Sequence, residues 1–142
     1  MSATLWLLLL YNLPILSHTD TIVGDYYCQA GDKDLVFIAY NLTLHQDGTF
    51  MFHAYTDHQN SIPPYEENNY GKGTWQADKK VVTFFTDKET DMDEKHTLNF
   101  SNSKAHFITK PPRDKTDRVI KTRLKFFESD IFWIKGWEIF KK

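Results

Sequence analysis

The chain has 142 residues, a formal net charge of -2 at pH 7, a hydrophobic fraction of 41% and an aromatic fraction of 15%. This length suits one domain rather than two, and the apolar content excludes an intrinsically disordered chain. The small net charge excludes a global electrostatic attraction to nucleic acid or to an anionic membrane surface. The abundance of aromatic residues favours strands, because flat rings pack well on a pleated surface.

The N-terminal segment differs in composition from the rest of the chain. Residues 1–19 contain no Asp, Glu, Lys or Arg, and they carry apolar runs at 5–10 and 13–16. These runs are shorter than the roughly 20 apolar residues of a membrane-spanning helix, and Pro14 interrupts them. The composition predicts a signal peptide over 1–19 and one domain over 20–142 without a transmembrane span, exported to the periplasm or secreted. The alternative is a retained apolar helix packed on the fold.

Short strands follow one another through the remainder of the chain. The clearest pattern is a hairpin in which Asp47-Gly48 separates two apolar, alternating segments. Residues 56–69 lack periodicity and contain Pro63-Pro64, so we expect a long surface loop there. Alternation and turn residues predict strands at 22–29, 35–45, 50–55, 72–77, 81–86, 96–101, 104–109, 117–128, 131–135 and 138–140.

The strand pattern predicts an all-β fold. Short links join each strand to the next, and no helical periodicity follows Thr19, which favours an antiparallel up-and-down meander. Closing such a meander of about eight to ten strands into a barrel removes its exposed edges. The alternative is a two-sheet β-sandwich. Cys28 is the sole cysteine, which excludes an internal disulfide, and strand alternation predicts that it is a small buried hydrophobe.

No motif in the chain indicates catalysis or a bound cofactor. His45 and His53 flank the Asp47-Gly48 turn on one predicted face, but no third metal ligand is fixed beside them. The acidic segment 87–94 lacks the glycine and the final glutamate that a calcium-binding EF-hand loop requires at its sixth and twelfth positions. No serine lies in a nucleophile elbow. We therefore expect a non-enzymatic protein without a metal site or cofactor.

Basic residues alternate along one face of a late predicted strand. Lys121, Arg123 and Lys125 would form a positive stripe there. Nucleic acid is not the expected partner, because the domain is net acidic and aromatic residues do not interleave with the stripe as they do in a stacking platform. An acidic protein partner is the functional reading of this stripe, and an ordinary solvated outer face is the alternative.

Several short motifs carry a family resemblance. They are Gly-Asp-Tyr at 24–26, Leu-Thr-Leu at 42–44, Asp-Gly-Thr-Phe at 47–50 and Gly-Thr-Trp at 73–75. At these positions the chain resembles the lipocalin-like, calycin-type barrels of exported bacterial proteins. The resemblance implies an up-and-down barrel of about eight strands whose interior holds an apolar ligand.

Two functional hypotheses follow. In the first, the barrel binds a small hydrophobic ligand in its interior, and the expected lining residues are Phe50, Phe52, Trp75, Phe84 and Trp133. In the second, the core is filled and the protein is an exported interaction module, such as an inhibitor or an envelope component. It would hold its partner through the 56–69 loop and the basic late strand. The volume of any internal cavity distinguishes the two.

Overall fold

A computed structural model describes residues 21–142, so the predicted signal peptide lies outside the described residues. The described chain contains no α-helix and forms nine strands. They are β1 Gly24–Gly31, β2 Val36–Leu44, β3 Thr49–His58, β4 Tyr65–Asp78, β5 Val81–Phe85, β6 His96–Leu98, β7 Ser103–Ile108, β8 Arg123–Glu128 and β9 Glu138–Lys141.

Eight of the strands close into an antiparallel barrel. Their order around the sheet is β3-β2-β1-β9-β8-β7-β5-β4, and pairing of β3 with β4 completes the ring. β6 stands outside this ring and pairs in parallel with β4. The predicted all-β meander barrel is confirmed, and the β-sandwich alternative is not adopted. Each barrel strand therefore pairs with a neighbour on both sides over at least part of its length, which limits the exposed strand edges.

The hairpin predicted from the Asp47-Gly48 turn is present. β2 and β3 pair from Val36 opposite His58 to Leu44 opposite Phe50. Gly48 has a φ of 88°, the left-handed conformation that glycine adopts without a steric penalty. Asp47 stabilises this turn by accepting hydrogen bonds from the backbone N–H and the hydroxyl of Thr49. The local turn signal therefore fixes the register of this pair.

The expectation of a long loop at 56–69 is wrong. β3 continues to His58 and β4 begins at Tyr65, so only residues 59–64 connect the two strands. Contacts between side chains stabilise this polar part of the hairpin. The hydroxyl of Tyr55 donates to Glu66 at 3.0 Å, and the ring of His58 stacks on that of Tyr65 with centroids 4.3 Å apart. Cross-strand pairs of this kind stabilise a sheet without an apolar stripe.

Three later strand predictions need correction. The predicted strands at 96–101 and 104–109 do not pair with each other, because β6 ends at Leu98 and pairs with β4, whereas β7 pairs with β5 and β8. The predicted strand at 117–128 shortens to Arg123–Glu128, and residues 131–135 form turns. In the first and last of these regions the chain leaves the ladder and carries an apolar side chain into the core, Phe100 and Ile134 respectively.

The barrel has two structurally different ends. One end, which we call the mouth, carries the connections 32–35, 59–64, 86–102 and 129–137. We call the opposite end the turn end. Inward-pointing side chains of the strands, together with Ile22, Phe100 and Ile134 from outside the strands, form one core. Its fully buried large members are Tyr26, Phe50, Phe52, Phe84, Phe100, Phe126, Ile22, Leu42, Leu44, Leu124, Ile134 and Ile139.

Candidate functional site

Aromatic rings occupy the middle of the barrel. Phe50, Phe52 and Phe84, three of the five side chains expected to line a ligand site, each expose only 1% of their surface. The rings of Phe50 and Phe84 meet edge to face at a centroid distance of 5.1 Å, within the range of favourable aromatic pairs. Trp75, the fourth, is also buried, and its Nε1 donates to the backbone oxygen of His45 at 3.0 Å. These rings pack on one another and on their neighbours.

Phe100 completes this packing, and its role was not predicted. It is 0% exposed, and its ring centroid lies 5.2 Å from that of Phe50, 4.9 Å from Phe52 and 6.0 Å from Phe84. Thr86 and Ser101 anchor its backbone. Phe100 N–H donates to Thr86 Oγ1 at 2.9 Å, and the Ser101 hydroxyl donates to the Thr86 carbonyl at 3.0 Å.

The sequence contained one signal for an inserted side chain at this place. Gly71 and Gly73 alternate in β4, and both face inward. A Cβ on Gly71 would lie 2.7 Å from Cε2 and 2.9 Å from Cδ2 of Phe100. A Cβ on Gly73 would overlap the carbonyl oxygen of Phe85. Glycine inside a strand often marks such a close approach, so this pair predicts a group packed directly against β4.

Trp133, the fifth expected lining residue, closes the mouth. Its ring centroid lies 5.4 Å from that of Tyr40 and 6.3 Å from that of Phe52. Beside it is an open recess of about 160 Å³. Ligand pockets for drug-sized molecules measure about 300–1,000 Å³. The recess is lined by Tyr40, Ala54, Thr56, Glu67, Asn69 and Trp133.

The three basic residues of the predicted stripe have different environments. Nε of Arg123 lies 2.5 Å from Oε2 of Glu138 on the neighbouring strand, so each neutralises the other. Lys125 is exposed on β8, and Lys121 is exposed in the segment before β8. Within residues 21–142, neither lysine forms an ion pair. The free positive charge of this face therefore comes from lysines.

The barrel wall is open along part of one seam. β1 and β9 pair only through Tyr26 opposite Lys141 and Tyr27 opposite Phe140, although β1 continues to Gly31. A cleft of about 780 Å³ and an adjoining cleft of about 480 Å³ follow this seam and share Cys28, Gln29 and Phe140. We call their combined surface the seam groove. Its lining consists of Tyr27, Cys28, Gln29, Lys121, Thr122, Lys135, Gly136, Trp137, Glu138, Phe140, Lys141 and Lys142.

The seam groove is basic and aromatic. Four lysines line it against one acidic residue, Glu138, which Arg123 already neutralises. Nζ of Lys121 lies 6.0 Å from the ring centroid of Phe140, and Nζ of Lys142 lies 5.3 Å from that of Tyr27. These distances suit cation–π contacts, which hold a lysine near a ring while its charge stays available to solvent. The groove therefore presents cations on an aromatic floor.

Cys28 is a buried free thiol, and the histidines at 53 and 58 stack on tyrosines of β4. Burial raises the pKa of the Cys28 thiol to about 11, so at neutral pH it is not the thiolate that reacts or binds metal. His53 stacks on Tyr70 and shares a hydrogen bond of 2.8 Å with Asn68. In the part of the chain that the structure describes, no group of three or more His, Cys, Asp or Glu residues could hold a metal ion.

The acidic segment 87–94 uses its carboxylates locally. Asp87 accepts from the backbone N–H of Glu89 at 3.0 Å. Asp93 accepts from the backbone N–H groups of Lys95 and His96 and lies 3.0 Å from Nδ1 of His96. These hydrogen bonds, those from His96 first, lower the pKa of Asp93 to about 2. Asp91 also accepts from the backbone N–H of Asp87 at 2.8 Å, so three acids of this segment stabilise the connection to β6.

No protein-family model, curated protein or solved structure matches this chain. The strand pairing alone identifies the fold as a closed eight-stranded antiparallel barrel. The candidate site is the seam groove. Among residues 21–142, no helix has the length and apolarity needed to cross a membrane.

Proposed function

We propose that this protein is an exported, non-enzymatic, lipocalin-like barrel that binds an acidic segment of another protein through the seam groove. The observation that carries the proposal is the packed aromatic interior. Phe50, Phe52, Phe84 and Phe100 fill the space in which a barrel of this size would otherwise hold one small ligand. Binding at the outer surface is then favoured over binding inside.

The charge of the seam groove supports an acidic partner. Lys121, Lys135 and Lys142 are exposed there, and within residues 21–142 none of them forms an ion pair. The whole chain is nevertheless slightly acidic. A local basic surface on such a protein steers an acidic partner to one place and not to the whole molecule.

Charge reversal tests the proposed function. The variant Lys121→Glu/Lys135→Glu/Lys142→Glu should lose binding to acidic peptides, measured by fluorescence anisotropy at low salt. The matched control is Lys80→Glu/Lys88→Glu/Lys115→Glu, which changes the net charge equally at exposed lysines outside the groove. The control should retain binding, and both variants should melt close to the parent. Equal loss in both variants would leave no role for the groove.

The interior-ligand hypothesis makes a separate prediction. A hydrophobic molecule bound inside would be extracted with organic solvent from protein purified from its native host, and mass spectrometry would detect it in stoichiometric amount. The proposed function predicts no such molecule. Export is tested in the same preparation by N-terminal sequencing, because removal of the predicted signal peptide gives a mature chain that begins near Asp20.

A further inference from the structure

We infer that the acidic segment binds as an added β-strand on the unpaired edge of β1, an inference that rests on the proposed function. The edge is defined by the end of the β1–β9 ladder. The backbone N–H of Lys142 donates to the oxygen of Asp25 at 2.9 Å, so the backbone of Asp25 faces β9. Backbone groups alternate sides along a strand. Those of Tyr27 and Gln29 therefore face β9 as well, but the ladder stops at Tyr27.

The other side of the seam is also unpaired. The backbone N–H of Lys141 donates to the carbonyl oxygen of Thr122. The backbone N–H and C=O groups at odd-numbered positions of β9 therefore face β8, and those at even-numbered positions face β1. The backbone of Glu138 then points into the seam groove opposite Gln29. Within residues 21–142, no strand pairs with β1 beyond Tyr27 on this side. A segment entering the groove finds backbone donors and acceptors on both walls, which is the requirement for strand addition.

The side chains of the groove define the sequence pattern of the occupant. Successive side chains of an extended segment point to opposite faces. One face would meet the exposed lysines at 121, 135 and 142, and the other would meet Cys28 and the half-buried Trp137 on the inner side. The complementary partner is an extended segment in which Asp or Glu alternates with apolar residues.

Two segments of this chain could be considered as occupants of the seam groove, namely its own residues 1–19 and a part of a second copy, and neither is complementary to it. Residues 1–19 carry no Asp or Glu, so they offer no complement to the lysines. A second copy could offer its acidic segment 87–94, but Asp87, Asp91 and Asp93 there already accept hydrogen bonds from backbone N–H groups of their own connection. These bonds hold the segment in turns and bends, whereas the groove requires an extended segment. Either occupant would protect the Gln29 amide from hydrogen exchange in the absence of any peptide.

The experiment compares two forms of one peptide on the full chain. The probe is the fluorescein-labelled peptide Glu-Val-Glu-Val-Glu-Val, and the comparison peptide is methylated at alternate backbone nitrogens. The expected result is saturable binding of the first and a loss of about ten-fold or more in affinity for the second, because methylation removes backbone donors but no charge. On binding the first peptide, the amides of Gln29 and Glu138 should become protected from exchange.

The outcomes distinguish failure of strand addition alone from failure of the proposed function. Equal binding of both peptides, with loss in the Lys121→Glu/Lys135→Glu/Lys142→Glu variant, would overturn strand addition and retain the acidic-partner function. Binding of neither peptide would overturn both. A Gln29 amide already protected in the peptide-free chain would overturn strand addition by an external partner. If that protection rose with protein concentration, a second copy would be the occupant.

Discussion

The packing of Phe100 over Gly71 gives a prediction that can be worked through quantitatively. Gly71→Ala adds a methyl group 2.7 Å from Cε2 of a fully buried ring. The ring packs on Phe50 and Phe52 and cannot move freely, so we expect overpacking to lower the free energy of unfolding by about 1–3 kcal/mol. Phe100→Ala removes the ring and should cost about 3–5 kcal/mol.

The double variant distinguishes a clash from a general weakness of the strand. With Phe100 reduced to alanine, the methyl group at position 71 enters vacated space. Its burial stabilises the folded protein by about 0.8 kcal/mol. Replacing glycine by alanine also reduces the conformational entropy of the unfolded chain. We therefore expect a coupling free energy of about 2–3 kcal/mol between the two changes, near the upper end of values for residues in contact. Urea unfolding, followed by tryptophan fluorescence, measures all four corners of the cycle.

Gly73 is the matched control for this cycle. Its added Cβ would overlap the backbone oxygen of Phe85, which no change at position 100 removes. Gly73→Ala should therefore destabilise the protein equally in both backgrounds. If Phe100→Ala leaves too little stability to measure, Phe100→Leu keeps the fold and should still show part of the coupling. Additive effects of Gly71→Ala and Phe100→Ala would refute the placement of Phe100 against β4.

Two further predictions concern titratable groups. Burial raises the pKa of the Cys28 thiol to about 11. The thiol should therefore not react with a thiol-specific disulfide reagent in the folded protein at pH 8, and it should react fully in urea. Rapid labelling of the native chain would contradict its burial. Hydrogen bonds lower the pKa of Asp93 to about 2 from an ordinary value of 3.8. The stabilisation that Asp93 gives to the β6 connection is therefore complete above about pH 4 and is lost as pH falls through about pH 2. The variant Asp93→Asn should lack the carboxylate titration that NMR detects in the parent, and its His96 amide should exchange faster. A pKa near 4 for Asp93 in the parent protein would show that these hydrogen bonds are absent in solution.

Local sequence signals predicted the parts of the fold that depend on neighbouring residues. The Asp47-Gly48 turn and its flanking alternation were enough to predict the β2–β3 hairpin, since the turn residue with positive φ and the apolar faces agree. The alternating segments then implied a strand count that only a closed meander satisfies without exposed edges. For that reason the barrel fold could be predicted from the sequence.

Features that depend on distant residues were missed. Leu98 and Phe100 alternate like strand residues, but Thr86 holds the backbone of Phe100 away from a ladder and directs its ring into the barrel. The polar stretch at 56–69 lacked an apolar stripe, and its cross-strand pairs, such as Tyr55 with Glu66, are visible only once the strands are aligned. The pattern of neither segment on its own indicates these contacts, although Gly71 and Gly73 in β4 mark the close approach of Phe100.

The seam groove was beyond sequence reasoning for a related reason. It forms where the first and last barrel strands, β1 and β9, meet and then diverge. The basic stripe identified Lys121 as a component, but Lys135 and Lys142 belong to other segments. Arg123, which belonged to the same predicted stripe, is paired with Glu138 across β8 and β9, a contact that strand alternation alone does not reveal.

Aromatic side chains fill the interior of the barrel, and we propose that the partner binds outside it, at the seam groove. Amide and aromatic NMR spectra of the full chain, recorded during titration with the alternating Glu-Val peptide, test it most directly. The predicted result is saturable shifts confined to residues 27–31 and 135–142, with the ring signals of Phe50, Phe52 and Phe84 unchanged. Shifts of those ring signals, with the seam groove amides unmoved, would contradict it.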